Sequence, residues 1–400
     1  MPAPETQISD MPKPEKTGPV VLFSSFEPSG DDHAAAVIGH LRTIRPDVPI
    51  FAWGGKKMEA AGASIVEYTG KDAVMGMPGL AKIREHQHIN ERVKSWMIEH
   101  RPVLHVPVDS PAANFPLCKF AKQSGIRVVH MVAPQVWAWA TWRIRKLRKR
   151  TDLVLCILPF EEQWFRQRNV PATFVGHPIF SVPLDEKRIS EQLPTFPDGK
   201  HKLLLLPGSR PSEMQKNFPV MLRVFRGLMQ QHEGLVGLVA ATNEVTAQSL
   251  RELAEKDGGW PEGLSIAHSC TDAAVRWADT ALVVSGTVTL QVARQSVPMV
   301  TMYVMNPLIG QIFGRLLVKT RLFTLPNLIA DREIVREFIP YYEKYSSDRN
   351  IIDALTDLIE NEHRRQELSA ELAAVVAAFK GHNAAEEAAA AIASMVDESS

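Results

Sequence analysis

The sequence predicts an α/β protein made of two similar, Rossmann-like parallel-sheet halves, and three observations lead there. Short apolar runs recur with helical segments between them, the spacing of right-handed βαβ units. The rhythm stops at a polar, Pro-rich stretch, SVPLDEKRISEQLPTFPDGKHK, and then restarts. A length of 400 residues also exceeds one ordinary core, so two or three domains are expected.

Residues 1–18 are polar and Pro-rich and lack the apolar centre of a signal peptide, so a disordered lead-in is expected. The N-terminal domain, 19–180, holds the runs VVLFSS (20–25), PIFAWGG (49–55), VLHVPVD (103–109), RVVHMVAP (127–134) and DLVLCILP (152–159). A linker is expected over 181–200. The C-terminal domain, 201–345, holds LLLLPGSR (203–210), GLVGLVAAT (234–242), LSIAH (264–268), TALVVSG (280–286) and VPMVTMY (297–303). The remainder, 346–400, is rich in Ala, Glu and other helix formers and should form helices.

Composition narrows the function classes. With 45 basic residues against 45 acidic ones, nothing global points to nucleic acid, and an anionic partner must be met by a local patch. Cys118, Cys156 and Cys270 are odd in number and far apart, which suits reduced thiols of a cytoplasmic protein. No stretch of about 18 apolar residues occurs, so no spanning helix is expected, while attachment to a membrane surface stays open.

Open parallel sheets collect ligands at the carboxyl ends of their strands. That rule selects Glu27–Asp31, Asp109–Pro111 and Pro134–Gln135 in the first half, and Pro207–Arg210 with Glu213 and Ser285–Thr287 in the second. Pro-Gly-Ser-Arg before a helix combines unpaired backbone donors, the positive helix end and a guanidinium fork, all suited to a diphosphate. Ser285, Gly286 and Thr287 open another helix, with Gln291 one turn above Thr287. Two such ends suggest a nucleotide, although a Gly-Thr turn is also a good helix cap. Asp109 at a strand end can serve as a general base, or as an Asx turn or cap. The segment QVWAWATWRIRKLRKR (135–150) mixes Trp137, Trp139 and Trp142 with basic residues; a solvated helix face or an anionic surface would explain it. VMGMPGL (74–80) and PLIGQIFGRLLVKTRLF (307–323) are buried helix or interfacial surface. His86 and His88 are badly spaced for a metal, and no metal or cofactor is expected.

Together these residues resemble the lipid-A-disaccharide synthase family, glycosyltransferases of the two-domain GT-B fold. The matches run along nearly the whole chain: EPSGD (27–31), AVMGM (73–77), VDSPxxN (108–114), VWAW (136–139), TDLVLCILPFE (151–161), VGHP (175–178), LLPGSRxxE (205–213), SGTVTL (285–290), PMV (298–300), LVKT (317–320) and LPNLIADREIVREF (325–338). The resemblance implies two domains facing a cleft, C-terminal helices over 346–400 packing back toward the N-terminal domain, and inverting transfer from UDP-2,3-diacylglucosamine to 2,3-diacylglucosamine 1-phosphate without a required metal. It implies Asp109 as general base with Glu27 beside it, and Gly208, Ser209, Arg210, Glu213, Ser285, Gly286, Thr287 and Gln291 on the UDP side. Ser29, Gly30, Asp31, Val74, Met75, Met77, Asn114 and Trp137 would lie on the acceptor and lipid side. It further implies peripheral attachment at the inner face of the cytoplasmic membrane, with a homodimer left open.

Five positions depart from the pattern that the resemblance sets. Phe26 and Asp331 stand where Gly is expected, Ala112 where a second Asp is usual, Gln291 where Glu is usual, and Pro340 where Gln is expected. They are expected to cluster around the donor site. The rival reading is a divergent paralogue that keeps the fold and binds UDP or a lipid-sugar without transfer, or a transferase with an altered donor.

Overall fold

The computed structural model describes residues 18–69, 80–138, 141–305, 320–342 and 346–398, with the backbone alone for 80–85. Val74, Met75, Met77, Trp139 and most of 307–323 therefore lie outside the described residues. The chain divides into two compact units, Met1–Ser181 with Gly381–Ser400, and Val182–Lys380.

In the first unit, seven parallel strands form one sheet: β1 (Val21–Ser24), β2 (Ile50–Gly54), β3 (Ser64–Tyr68), β4 (Leu104–Pro107), β5 (Arg127–Met131), β6 (Leu153–Cys156) and β7 (Ala172–Phe174). Their spatial order is β3-β2-β1-β4-β5-β6-β7. The helices are α1 (Pro28–Ile44), α2 (Lys56–Ala60), α3 (Leu80–His100), α4 (Pro111–Gln123), α5 (Ile144–Arg150), α6 (Glu161–Arg166) and α7 (Pro178–Ser181). Side chains alternate between two cores. Val21 and Phe23 point to the face covered by α1, and Leu22 to the face that also buries Phe115, Leu117 and Cys118 of α4. Both faces of the central strands are covered, which is why those strands read as continuous apolar runs.

The second unit repeats the plan with α8 (Glu186–Gln192), β8 (His201–Leu206), α9 (Pro211–Met229), β9 (Leu235–Ala241), α10 (Glu244–Lys256), β10 (Leu264–His268), α11 (Thr271–Trp277), β11 (Thr280–Val284), α12 (Val288–Arg294), β12 (Met299–Val304), α13 (Leu325–Ala330) and β13 (Arg336–Tyr341). Its sheet runs β10-β9-β8-β11-β12-β13. Each sheet is wound outward from its centre in one direction, then returns and is wound outward in the other. The reversal falls between β1 and β4 in the first unit and between β8 and β11 in the second, leaving a crevice at the strand carboxyl ends there.

The stretch expected as a linker is part of the second unit. It contains α8, and Leu193 and Phe196 pack on that unit's core. The helical tail divides between the units. Its first two helices, α14 (Asp348–Glu360) and α15 (Glu362–Ala377), bury Ile351, Leu355 and Leu372 in the second core. The last, α16 (Ala384–Asp397), returns to the first unit and packs on α1 through Ala388, Ala389, Ile392 and Val396. Leucine and isoleucine fill a core, whereas the Ala-rich face of α16 lets two helices approach closely. Among the described residues no helix is long and apolar enough to cross a membrane.

Candidate active site

In the first unit the topology brings two of the predicted segments together. Glu27 follows β1 and Asp109 follows β4, and these strands are hydrogen-bonded neighbours although far apart in sequence. The Ser110 hydroxyl donates to Glu27 Oε1 at 2.7 Å, joining the two turns. Asp109 and Ser110 both adopt left-handed backbone conformations, with φ 47° and 42°. Two successive non-glycine residues there cost on the order of 1–3 kcal/mol each, and such strain persists only where neighbours hold it. Three backbone bonds do so: Asp109 N–H donates to Met131 O at 3.0 Å, Val108 N–H to Ser24 O at 2.9 Å, and Asn114 N–H to Ser110 O at 3.0 Å. Asp109, Ser110 and Glu27 are half-buried. The fully buried Asn114 side chain donates to the carbonyls of Val108 and Asp109, at 3.1 and 2.9 Å.

Other residues of this turn serve the fold. Glu27 occupies the N-cap position of α1 without a side-chain capping bond, and Pro28 begins the helix. Asp31 caps a different helix: its carboxylate accepts from the backbone N–H of Gly55 at 2.9 Å and from those of Lys57 and Met58 at 3.2 Å, at the start of α2. Gly30 allows α1 to approach β1, because a Cβ there would stand 2.4 Å from Ser25 Oγ. Ser29 is exposed. Trp137 is buried, its indole N–H donating to Glu161 Oε1 at 2.9 Å and its ring meeting Phe160 edge-on. Glu161 is itself enclosed and also accepts the N–H groups of Ile157 and Leu158; burial pushes its carboxyl up to about 7 against those donors. Among the described aromatics of this region Trp142 is exposed, with Arg143 and Lys146 5.7 and 5.2 Å from its ring. Burial pushes the thiol of Cys118 up to about 12 and that of Cys270 to about 11, and raises Cys156 further, so none is a nucleophile at neutral pH.

At the second switch point, Pro207–Arg210 follow β8 and Ser285–Thr287 follow β11. Gly208 has φ 99°, and a Cβ there would lie 2.9 Å from Glu213 Oε2 and 3.2 Å from Glu213 Cβ, so both conformation and space require glycine. Arg210 is the N-cap of α9 and its guanidinium pairs with Glu213 at 2.9 Å. Gly286 differs: a Cβ there would meet nothing within 4 Å, and the turn leaves open backbone in front of α12. The Ser285 hydroxyl donates to Phe323 O at 3.2 Å. That peptide is fixed in turn, because the Glu337 carboxylate accepts the N–H of Phe323, the N–H and hydroxyl of Thr324, and the amide of Asn327. Gln291 is half-buried on α12. Sequence reasoning assigned no work to Glu337 and Asn327, although both lie within the LPNLIADREIVREF motif.

Of the five departures, Phe26 and Ala112 belong to the first unit, and Gln291, Asp331 and Pro340 to the second. Phe26 does not fill the Glu27 turn. It is buried in the core, with its ring edge-on to His86 at 5.9 Å. Ala112 is exposed in the first turn of α4. Asp331 ends α13 with φ 53°, which explains why glycine suits that position. Pro340 lies in β13, an edge strand, where a missing N–H is tolerated.

Comparison with known proteins agrees along the chain. Residues 21–394 match the family described as lipid-A-disaccharide synthetase. A lipid-A-disaccharide synthase of Coxiella burnetii is 30% identical over 356 residues, 88% of this chain and 92% of its own. One of Azotobacter vinelandii is 33% identical over 345 residues, 85% and 89% of the two chains. Among solved structures, a putative UDP-N-acetylglucosamine 2-epimerase of Listeria monocytogenes covers 96% of this chain and 98% of its own at TM-score 0.62 and 14% identity. A glycosyltransferase of Rickettsia africae covers 96% and 99% at TM-score 0.56 and 11% identity. At such identities the structures speak for the fold, which is GT-B; the curated relatives favour a transferase over a non-catalytic paralogue.

Proposed function

Because the chain belongs to the lipid-A-disaccharide synthase family and is a GT-B glycosyltransferase, we propose that it joins UDP-2,3-diacylglucosamine to 2,3-diacylglucosamine 1-phosphate, giving the β-1′,6-linked disaccharide 1-phosphate and UDP. The N-terminal unit takes the acceptor and the second unit the nucleotide sugar. Asp109 accepts the proton of the acceptor 6-hydroxyl as its oxygen bonds to the anomeric carbon, and the bond from that carbon to UDP breaks on the opposite face. Arg210 and the positive helix ends behind Ser209 and Gly286–Thr287 take up the charge of the departing diphosphate. Gln291 bonds the ribose as a neutral amide. The single observation that supports this reading best is the strained turn that presents Asp109 beside Glu27 at the β1/β4 switch point.

The acyl chains need apolar surface, for which 74–80 is the proposed segment. Exposed Arg145, Lys146 and Lys149 beside Trp142 form a basic rim suited to the anionic inner face of the cytoplasmic membrane. Purified protein given both acylated sugars should release UDP, and Asp109→Ala should cut the release about 100- to 10,000-fold, to a small residual rate. Folded protein that binds UDP yet releases none from the donor and acceptor would sink the proposal.

A further inference from the structure

A polar chain runs through the core behind the Asp109 turn. Ser24, the last residue of β1, and His105 of β4 are both completely buried, as is Asn114 of α4. The Ser24 hydroxyl lies 2.7 Å from Asn114 Oδ1 and 2.8 Å from His105 Nε2. The direction of the chain follows from its far end. Asn114 Nδ2 faces two carbonyls, of Val108 and Asp109, so the amide nitrogen must be on that side and Oδ1 must face Ser24. Oδ1 then needs a donor, which only the Ser24 hydroxyl supplies in this chain. That hydroxyl has one proton and has spent it, so His105 must donate through Nε2–H. Among the described residues His105 Nδ1 is a buried nitrogen without a partner. One orientation of every group fits these bonds, and the chain ends on the backbone carbonyl of Asp109.

Burying three polar side chains is costly unless they bond one another, and a valine-type strand would be the cheaper solution for stability. Here the bonds converge on the two carbonyls flanking the strained backbone. We infer that Ser24 and His105 are positioning residues that act through Asn114 to hold the Asp109 turn in its left-handed form. They touch no substrate; they fix the amide that fixes the carboxylate's backbone. This inference rests on the proposed role of Asp109 as base.

The test uses the full chain and UDP release from the acylated sugars, with KM for the UDP-sugar and thermal midpoint measured on each variant. Ser24→Ala and His105→Leu should each lower kcat about 10- to 100-fold, the range expected when a reacting group is misplaced by a fraction of an ångström. KM for the UDP-sugar should stay within two-fold. Ser24→Thr and His105→Gln, which retain a hydroxyl and an amide donor, should recover most of the loss. In an Asp109→Ala background, adding Ser24→Ala should change the residual rate less than two-fold, because the group being positioned is gone. If both single variants fold and keep kcat within two-fold of the parent while Asp109→Ala falls at least about 100-fold, the positioning inference is wrong and the base assignment stands. A kcat loss that persists undiminished in the Asp109→Ala background also overturns it. An Asp109→Ala protein that retains full activity overturns the base assignment and, with it, this inference.

Discussion

The two switch points of this protein share one backbone plan and opposite chemistry. At β1/β4 the strand ends carry Glu27, Asp109 and Ser110 on a turn held in two left-handed conformations, with a buried polar chain behind it. At β8/β11 they carry Gly208, Ser285 and Gly286, with little or no side chain, and the Arg210 guanidinium, at the start of α9 and α12. One crevice carries two carboxylates and the other a guanidinium among small turn residues. The comparison teaches that a doubly wound sheet supplies a place at its carboxyl ends and leaves the chemistry to a few turn residues.

Four measurements would break or sharpen the contrast, taken from the largest expected effect. If the second crevice handles the departing diphosphate, Arg210→Ala should cut kcat by about 100- to 1,000-fold, as loss of a charge-stabilising donor does. A change confined to KM for the donor would mean Arg210 serves binding alone. Next, the two glycines of that crevice should behave differently in a denaturant titration. Gly208→Ala meets both a positive φ and Glu213, and should cost about 1–3 kcal/mol. Gly286→Ala should stay within about 0.5 kcal/mol of the parent, since nothing surrounds its Cβ. Equal losses would refute the distinction between a glycine needed by the fold and one leaving room for a ligand.

The third measurement concerns pH. Burial holds the His105 imidazole down to about 3 and that of His130 to about 4, from an ordinary 6.5. Below 6.5 the unfolded chain takes up protons that the fold refuses, so this contribution is complete above about pH 6.5 and is lost as pH falls toward 3. Glu161 works in the opposite sense: its carboxyl is pushed from 4.5 up to about 7, so its contribution is complete below about 4.5 and declines as pH rises to 7. Hydrogen exchange between pH 4.5 and 3 should therefore show β1, β4 and β5 losing protection ahead of β8 and β11. Glu161→Gln should flatten the dependence of the thermal midpoint between pH 4.5 and 7. The smallest effect belongs to Asp331, where replacement by Gly should stabilise the second unit by about 0.5–1 kcal/mol by relieving the left-handed backbone at the end of α13.

Most of the fold could be read from the residues, and the exceptions share a cause. The central strands are covered on both faces and appear as unbroken apolar runs. Missing from the sequence reading were β3, β7 and β13, which are sheet edges with partly exposed side chains. The candidate site was legible in the same partial way. Strand ends marked Asp109, Arg210 and Gly286, and the motif resemblance named the family. Asp31 and Trp137, assigned to the acceptor side by resemblance, are occupied with capping α2 and with Glu161.

By itself the sequence determined the number of sheets, their parallel sense and the residues at their carboxyl ends, because burial on both faces and βαβ spacing act locally along the chain. Only the tertiary structure decided which ends meet. Residues 27 and 110 are neighbours because β1 and β4 pair at the reversal of winding, a pairing set by how whole strands and crossovers pack. The tertiary structure likewise decided that Phe26 turns into the core and that Ser24, His105 and Asn114 form one chain, since hydrogen bonds between residues 81 and 90 positions apart leave no periodic trace in sequence.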